Sequence, residues 1–200
     1  MGSVHAKARS AASVAIAALM LATGLAAAPS ASAAALDGYN LVTAAEVDQA
    51  SQAGGWVAKP FRKQHGFDCG SYGVMTTFRQ QLVRRGYVAD GPTSAVEAVV
   101  TFANKAQAKA AHTRTLQTIR SCARTGPDTR LVTDEQQAVP GRARLLQLFI
   151  APECCGHDTH SFIVVQRKRR VALLVIGELG VTPPGPLRGL ATTVADRITR

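Results

Sequence analysis

Aromatic side chains are scarce: six Phe, three Tyr and one Trp make up 5% of the 200 residues. They are not interleaved with basic residues along a groove-like stretch, so the stacking platforms that hold single-stranded nucleic acid are missing, and no nucleic-acid partner is expected. Acidic residues are also few, 13 against 23 Lys and Arg. Long apolar runs are absent too. Val14 to Ala28 is short and Ala-rich beside the roughly 20 residues a membrane-spanning helix needs, so no stable membrane span is expected. No Cys ends that run, which argues against a lipid-anchored form. The Gly-x-Ser-x-Gly elbow of serine hydrolases does not occur. Beyond residue 33 there is neither an internal repeat nor a low-complexity tract.

What the chain does have begins with its first residues. Lys7 and Arg9 precede the apolar run, and Pro29-Ser30-Ala31-Ser32-Ala33-Ala34 follows it. This is the basic, apolar and small-residue order of a secretory signal peptide, with Ala31 and Ala33 at the −3 and −1 positions of a cut after Ala33. The expected organisation is therefore a leader over 1–33 and a single secreted domain over 34–200, extracellular or cell-wall associated. The 167 residues of that domain suffice for one hydrophobic core and not for two. Losing Lys7 and Arg9 leaves 21 basic against 13 acidic residues, a net charge of +8. A charge of this sign concentrates anionic partners near the surface, an envelope component among them. It also serves as ordinary solubilising surface.

Four cysteines lie beyond the leader: Cys69, Cys122, Cys154 and Cys155. An even number in an oxidising compartment implies disulfides. Cys69–Cys122 is the favoured pairing because it ties the start of the domain to the end of a helix. Closing that loop contributes roughly 4 kcal/mol on the chain-entropy account. Cys154 and Cys155 are then joined to each other or free, and the pairings Cys69–Cys154 and Cys69–Cys155 stay open.

Helix and strand signals alternate along the domain. Thr43 and Glu46 form a capping box for a first helix that Gly54-Gly55 ends. Trp56 to Phe67 reads as a loop with Trp56, Phe61 and Phe67 as packing anchors. Val74 to Tyr87 and Ser94 to Ala103 read as strands joined through Ala89-Asp90-Gly91-Pro92. Asn104 caps a long helix reaching about Ala123, with Ala106, Ala110, Thr113, Leu116 and Ile119 or Arg120 as its buried stripe. Strands follow over Thr129 to Val139 and Arg144 to Ala151, then a hairpin of Ser161 to Arg167 and Val171 to Glu178 around Lys168-Arg169-Arg170. Leu187 to Ile198 is a closing helix. The pattern predicts an α+β fold: an antiparallel sheet of about five to six strands packed with a long central helix and a C-terminal helix, disulfide-linked.

Two stretches carry residue types capable of chemistry. Cys154-Cys155-Gly156-His157-Asp158-Thr159-His160 holds soft ligands, but adjacent cysteines point apart and oxidation consumes thiolates, so no metal and no cofactor is expected. Cys155 with His157 or His160 and Asp158 has the composition of a thiol enzyme, without evidence of a reduced, oriented thiol. Asp68-Cys69-Gly70-Ser71-Tyr72-Gly73 with His65 is better explained by a bridging Cys69. The expected function is non-enzymatic, with no catalytic residues. Candidate ligand-binding residues are the basic clusters Arg84-Arg85 and Arg167-Lys168-Arg169-Arg170. The same clusters also read as charged strand edges that discourage aggregation.

The order of elements resembles the extracellular sensor domain of mycobacterial receptor kinases of the PknH type and of related actinobacterial secreted proteins and lipoproteins. Residues carrying the resemblance are Leu41 to Val47, Trp56, Cys69, Val99-Val100-Thr101-Phe102 leading into the Asn104 helix, Cys122, and the hairpin Phe162 to Arg167 with Val171 to Val175. It implies a disulfide-held antiparallel sheet with helices and a cleft for an unidentified extracellular ligand. This sequence departs from the family in having no kinase and no transmembrane link, and in its adjacent Cys154-Cys155 pair. The functional expectation is a secreted ligand-binding or sensor-like domain for a small or anionic ligand. A secreted Cys/His enzyme and an envelope interaction protein without a small ligand are the alternatives.

Overall fold

The computed structural model describes residues 35–61, 69–89, 93–125, 128–151 and 158–199. A single 3-10 turn at Gly38–Asn40 leads into α1 (Ala44–Ala50), then β1 (Val57–Lys59), α2 (Ser71–Thr76), β2 (Gln81–Val88), β3 (Ser94–Thr101), α3 (Lys105–Thr125), β4 (Thr129–Gln136), β5 (Arg142–Ile150), β6 (Asp158–Arg167), β7 (Arg170–Leu179) and α4 (Pro184–Arg197). The strands form one sheet in the order β1-β2-β3-β7-β6-β5-β4, and every pair is antiparallel. α3 carries the chain from β3 to the far edge at β4. The β4–β7 meander then returns until β7 pairs with β3.

The two faces of the sheet bury different sets because successive strand residues point to opposite sides. Ala95, Val99, Leu145, Ile163, Val165, Leu174 and Ile176 pack with α1 and α4. Ala98, Val100, Leu146, Leu148, Phe162, Val164, Leu173 and Val175 pack with α2 and α3. Covered on both sides, β7 is buried along nearly its whole length, and the sequence shows this as an apolar run rather than an alternation. α4 seats Leu187, Leu190, Ala191, Val194 and Ile198 on the first face, the stripe its 3–4 spacing predicts. Each large apolar side chain so buried contributes roughly 1.5–3 kcal/mol.

Capping follows the sequence closely. The Thr43 hydroxyl accepts from the Glu46 amide at 3.3 Å while the Glu46 carboxylate accepts from the Thr43 amide at 2.6 Å. Asn104 Oδ1 accepts from the Gln107 amide at 2.9 Å, which starts α3. Cys69 and Cys122 are bonded, with 5.9 Å between their Cα atoms. Cys154 and Cys155 lie outside the described residues, as do Phe67 and Gly91-Pro92.

Three details differ from the sequence reading. The sheet has seven strands, because β1 sits inside what reads as a loop. Ser71–Thr76 is helical, so the segment beginning at Val74 is not strand until Gln81. Here tertiary contact overrides the β-branched propensity of Val74 and Thr76: the disulfide holds the preceding residue pair, and Met75 is buried against α3. Third, the buried stripe of α3 is Ala108, Ala111, His112, Thr115, Leu116 and Ile119, whereas Ala106, Ala110 and Thr113 face outward. Alanine occurs all round the first turns, so composition leaves the helical phase open. Thr115 can be buried because its hydroxyl donates to the Ala111 carbonyl at 2.9 Å.

Candidate ligand-binding cleft

The cleft begins with an anchored tryptophan. The Trp56 indole is buried and its Nε1 donates to the Ala53 carbonyl at 2.7 Å, fixing where the chain enters β1. β1 pairs with the outer edge of β2, Lys59 opposite Gly86 and Val57 opposite Val88. Pro60 has no amide hydrogen for the ladder and the strand stops. The chain then folds back across Gly86, where an added Cβ would stand 3.1 Å from the Pro60 carbonyl oxygen, so a larger residue would push that segment outward by a few tenths of an ångström.

The fold-back builds a wall. The Phe61 ring stacks on Tyr72 with centroids 4.8 Å apart. The Arg84 guanidinium lies 4.6 Å from the Phe61 centroid and donates to the Tyr72 hydroxyl at 3.0 Å. Beside this wall opens a cleft of about 280 Å³, lined by Lys59, Pro60, Gly86, Tyr87, Val88, Ala95 and Val96. Its lining is mostly apolar, and Lys59 is the cation among the lining residues described.

Behind the cleft, Tyr87 reaches a buried polar centre that the sequence reading missed. Glu97, fully buried on β3, accepts from the Val42 amide at 2.8 Å through Oε2. The Tyr87 hydroxyl lies 2.7 Å from the Val42 carbonyl and 2.9 Å from Glu97 Oε2. A phenol has one hydrogen for these two acceptors. That hydrogen is shared between the Val42 carbonyl and Glu97 Oε2, and the Val42 amide donates to the same carboxyl oxygen. Glu97 Oε1 has no hydrogen-bond partner among the described residues. Burial pushes the Glu97 carboxyl up to about 7, although the Val42 amide, Tyr87, Arg85 and Arg197 pull the other way. Burial, and then the Glu97 charge, also raise the Tyr87 phenol. The alternation of β3 marks Glu97 as inward-facing, and a carboxylate at such a position was the available signal.

The six basic residues expected at a binding site are not brought together. Arg84 stands by the cleft, whereas Arg85 points to the opposite face and donates to the Val42 carbonyl at 3.1 Å. Arg167, Lys168, Arg169 and Arg170 sit at the far end of the sheet. Arg167 donates to Ala195 O at 3.2 Å and Arg170 to Ile198 O at 2.9 Å, meeting carbonyls at the end of α4. Arg169 donates to Ala103 O at 3.2 Å, and Lys168 is exposed in the turn. Asp158 and His160 open β6, while His65, Asp68, Cys154, Cys155 and His157 are outside the described residues. Among the described residues no three His, Cys, Asp or Glu side chains gather as a metal site, and no helix is long and apolar enough to cross a membrane.

Seven antiparallel strands with α1 and α4 on one face and a disulfide-tied α2–α3 pair on the other allow comparison with solved structures. The fold resembles the extracellular domain of PknH from Mycobacterium tuberculosis. The TM-score is 0.55 at 13% identity, covering 80% of this chain and 92% of that domain. At such identity the likeness is one of fold. Protein PA94 of Pseudomonas aeruginosa, described as a putative regulator, gives a TM-score of 0.37 at 14% identity, over 58% of this chain and 81% of its own. LpqN of M. tuberculosis, involved in cell envelope biogenesis, gives 0.32 at 13% identity, over 78% and 94%. Neither of these two bears on function here. No protein-family model and no curated protein matches the chain.

Proposed function

We propose that this is an exported, non-enzymatic binding domain whose cleft beside β1, β2 and β3 takes a small extracellular ligand with an apolar body and a negative group. The observation that carries the reading is the cleft itself: Val88, Val96 and Pro60 supply apolar wall, and Lys59 supplies a cation at its lining. Small-molecule sites commonly combine apolar area with a few orienting polar groups. Arg84, stacked on Phe61 at the neighbouring wall, adds a second positive charge. The leader-like residues 1–33 and the disulfide support work outside the cytoplasm. So does the fold likeness to a domain described as extracellular. In this reading Arg84 keeps its expected ligand-facing role. Arg85, Arg167, Arg169 and Arg170 serve main-chain carbonyls, and Lys168 contributes only to the general positive field. An envelope-derived anion fits the charge and an apolar tail fits the walls.

The test uses 1-anilinonaphthalene-8-sulfonate, an apolar body with one sulfonate, titrated against the folded protein by fluorescence. Saturable binding is expected. Lys59→Gln should weaken it about fivefold, the ~1 kcal/mol of a solvent-exposed charge pair. Val88→Trp, which fills the cleft from an exposed position, should abolish it. Equal binding to all three proteins refutes the cleft as the site.

A further inference from the structure

We infer a second binding site, for a small carboxylate with a flat or short apolar body, between Phe78 and the outward face of α3. It lies apart from the β1–β3 cleft and does not depend on it. Phe78 occupies the turn between α2 and β2 with φ +61°, left-handed backbone that a bulky residue adopts at a cost of about 1–2 kcal/mol. The residue is 75% exposed, so burial does not offset the cost. The other two non-glycine residues with positive φ among those described have evident local reasons: Cys69 is tied by the disulfide, and Lys168 is a hairpin turn residue. Glycine or asparagine would make the Phe78 turn more cheaply. Folding does not explain a phenylalanine here, and contact with something outside the chain does.

Opposite that ring the chain presents a matching set. Gln107, Ala110 and Arg114 follow one another at helical spacing along α3, and with Phe78 and the fully buried Phe102 they line a cleft of about 290 Å³. Ala110 points outward on the exposed side of α3, and its small side chain leaves the space between Gln107 and Arg114 open. The Arg114 guanidinium has no carboxylate or carbonyl partner among the described residues. By contrast Arg120, Arg144, Arg188 and Arg197 all pair with acids. An unpaired guanidinium is a fork for a carboxylate, which it binds through two parallel N–H···O bonds. Gln107 offers an amide to the same oxygens, and the Phe78 ring covers the apolar body. The Arg169 contact to Ala103, next in sequence to Phe102, places a further positive charge nearby.

The experiment titrates the folded protein with benzoate and octanoate by NMR, with benzamide and octanamide as neutral counterparts. The acids are expected to bind saturably, with the largest shifts at Phe78, Ala110 and Arg114, and the amides at least tenfold more weakly. Arg114→Gln should lose tenfold or more in acid affinity at unchanged thermal midpoint. Phe78→Gly separates the two roles: relief of the left-handed strain should hold or raise the midpoint while binding falls several-fold. Lys59→Gln, in the other cleft, should change neither. Absence of saturable acid binding overturns the inference, as does equal affinity for acids and amides. A Phe78→Gly protein that melts lower gives the ring a structural role and overturns it too. Shifts confined to Val88 and Val96 would assign the acids to the first cleft instead, leaving that reading standing and this one refuted.

Discussion

Glu97 and His112 are both buried, one on each face of the sheet, and their titrations oppose one another. Burial raises the Glu97 carboxyl from an ordinary 4.5 to about 7. The folded protein then holds a proton that the unfolded chain releases. Its contribution to stability is complete below pH 4.5 and lost as pH rises through 7, a change of about 3 kcal/mol. His112 behaves in reverse. Burial lowers it from 6.5 to about 4, the Val164 main chain opposes this, and Arg142, Arg144 and Arg120 push the same way as burial. The unfolded chain takes up a proton below pH 6.5 that the folded protein refuses, so stability is lost as pH falls toward 4, again by about 3 kcal/mol. In the intact protein the two slopes nearly cancel between pH 4.5 and 6.5. Denaturant unfolding across this range should therefore give a flat profile. Glu97→Gln should expose a stability that rises with pH, and His112→Asn one that falls with pH. Identical pH profiles for all three proteins would refute the assignment.

Among the elements, α3 is held to the far edge of the sheet by one acid. Asp134 on β4 accepts from Arg120 Nε of α3 at 2.8 Å and from Arg144 Nε of β5 at 2.9 Å. Burial pushes its carboxyl up, but these hydrogen bonds outweigh burial and hold the pKa below the usual value. The stabilisation is thus present above the ordinary carboxylate pKa and lost as pH falls below it. With about a quarter of each side chain exposed, the pair of bridges lies between surface and buried cases. Asp134→Ala should cost about 1–2 kcal/mol and leave Arg120 and Arg144 facing each other. A lower midpoint that partly recovers at high salt, as the two cations are screened, is the expected result in thermal melts. The exposed Arg188–Glu135 bridge between α4 and β4 should matter much less: Glu135→Ala is expected to move the midpoint by under about 2 °C. The 3-10 turn, α1 and α4 meet through Arg197, whose NH2 lies 2.7 Å from Glu46 Oε1.

For the whole molecule, the Cys69–Cys122 bond closes a separation of 53 residues that spans α2, β2, β3 and most of α3. Its removal releases chain entropy worth roughly 4 kcal/mol in the unfolded state. Replacing both cysteines by serine should lower the thermal midpoint by about 8–16 °C, at 2–4 °C per kcal/mol for a chain of this size. The same loss should appear when the native protein is reduced, and reduction should have no comparable effect on the double variant. The strand order explains why this element is tied: α2 and α3 cover one face of the sheet, and α2 alone is too short to hold its place.

The α+β class, the capped starts of α1 and α3, the β6–β7 hairpin and the buried stripe of α4 were legible in the residues. Each is set by contacts within a few positions or by the spacing of apolar side chains. The Cys69–Cys122 pair was legible as the favoured of several pairings, since sulfur chemistry restricts partners without choosing among them. Long-range placement was not legible. Alternation along a strand puts Arg84 and Arg85 on opposite sides, but the sequence could not say which would stand by a cleft and which on a carbonyl. Nor could it pair β3 with β7, whose partners run from Thr101 with Arg170 to Ser94 with Gly177, or bring Val42 to Glu97. Such contacts depend on where whole elements pack, and packing free energy is shared among many residues rather than encoded in any one segment.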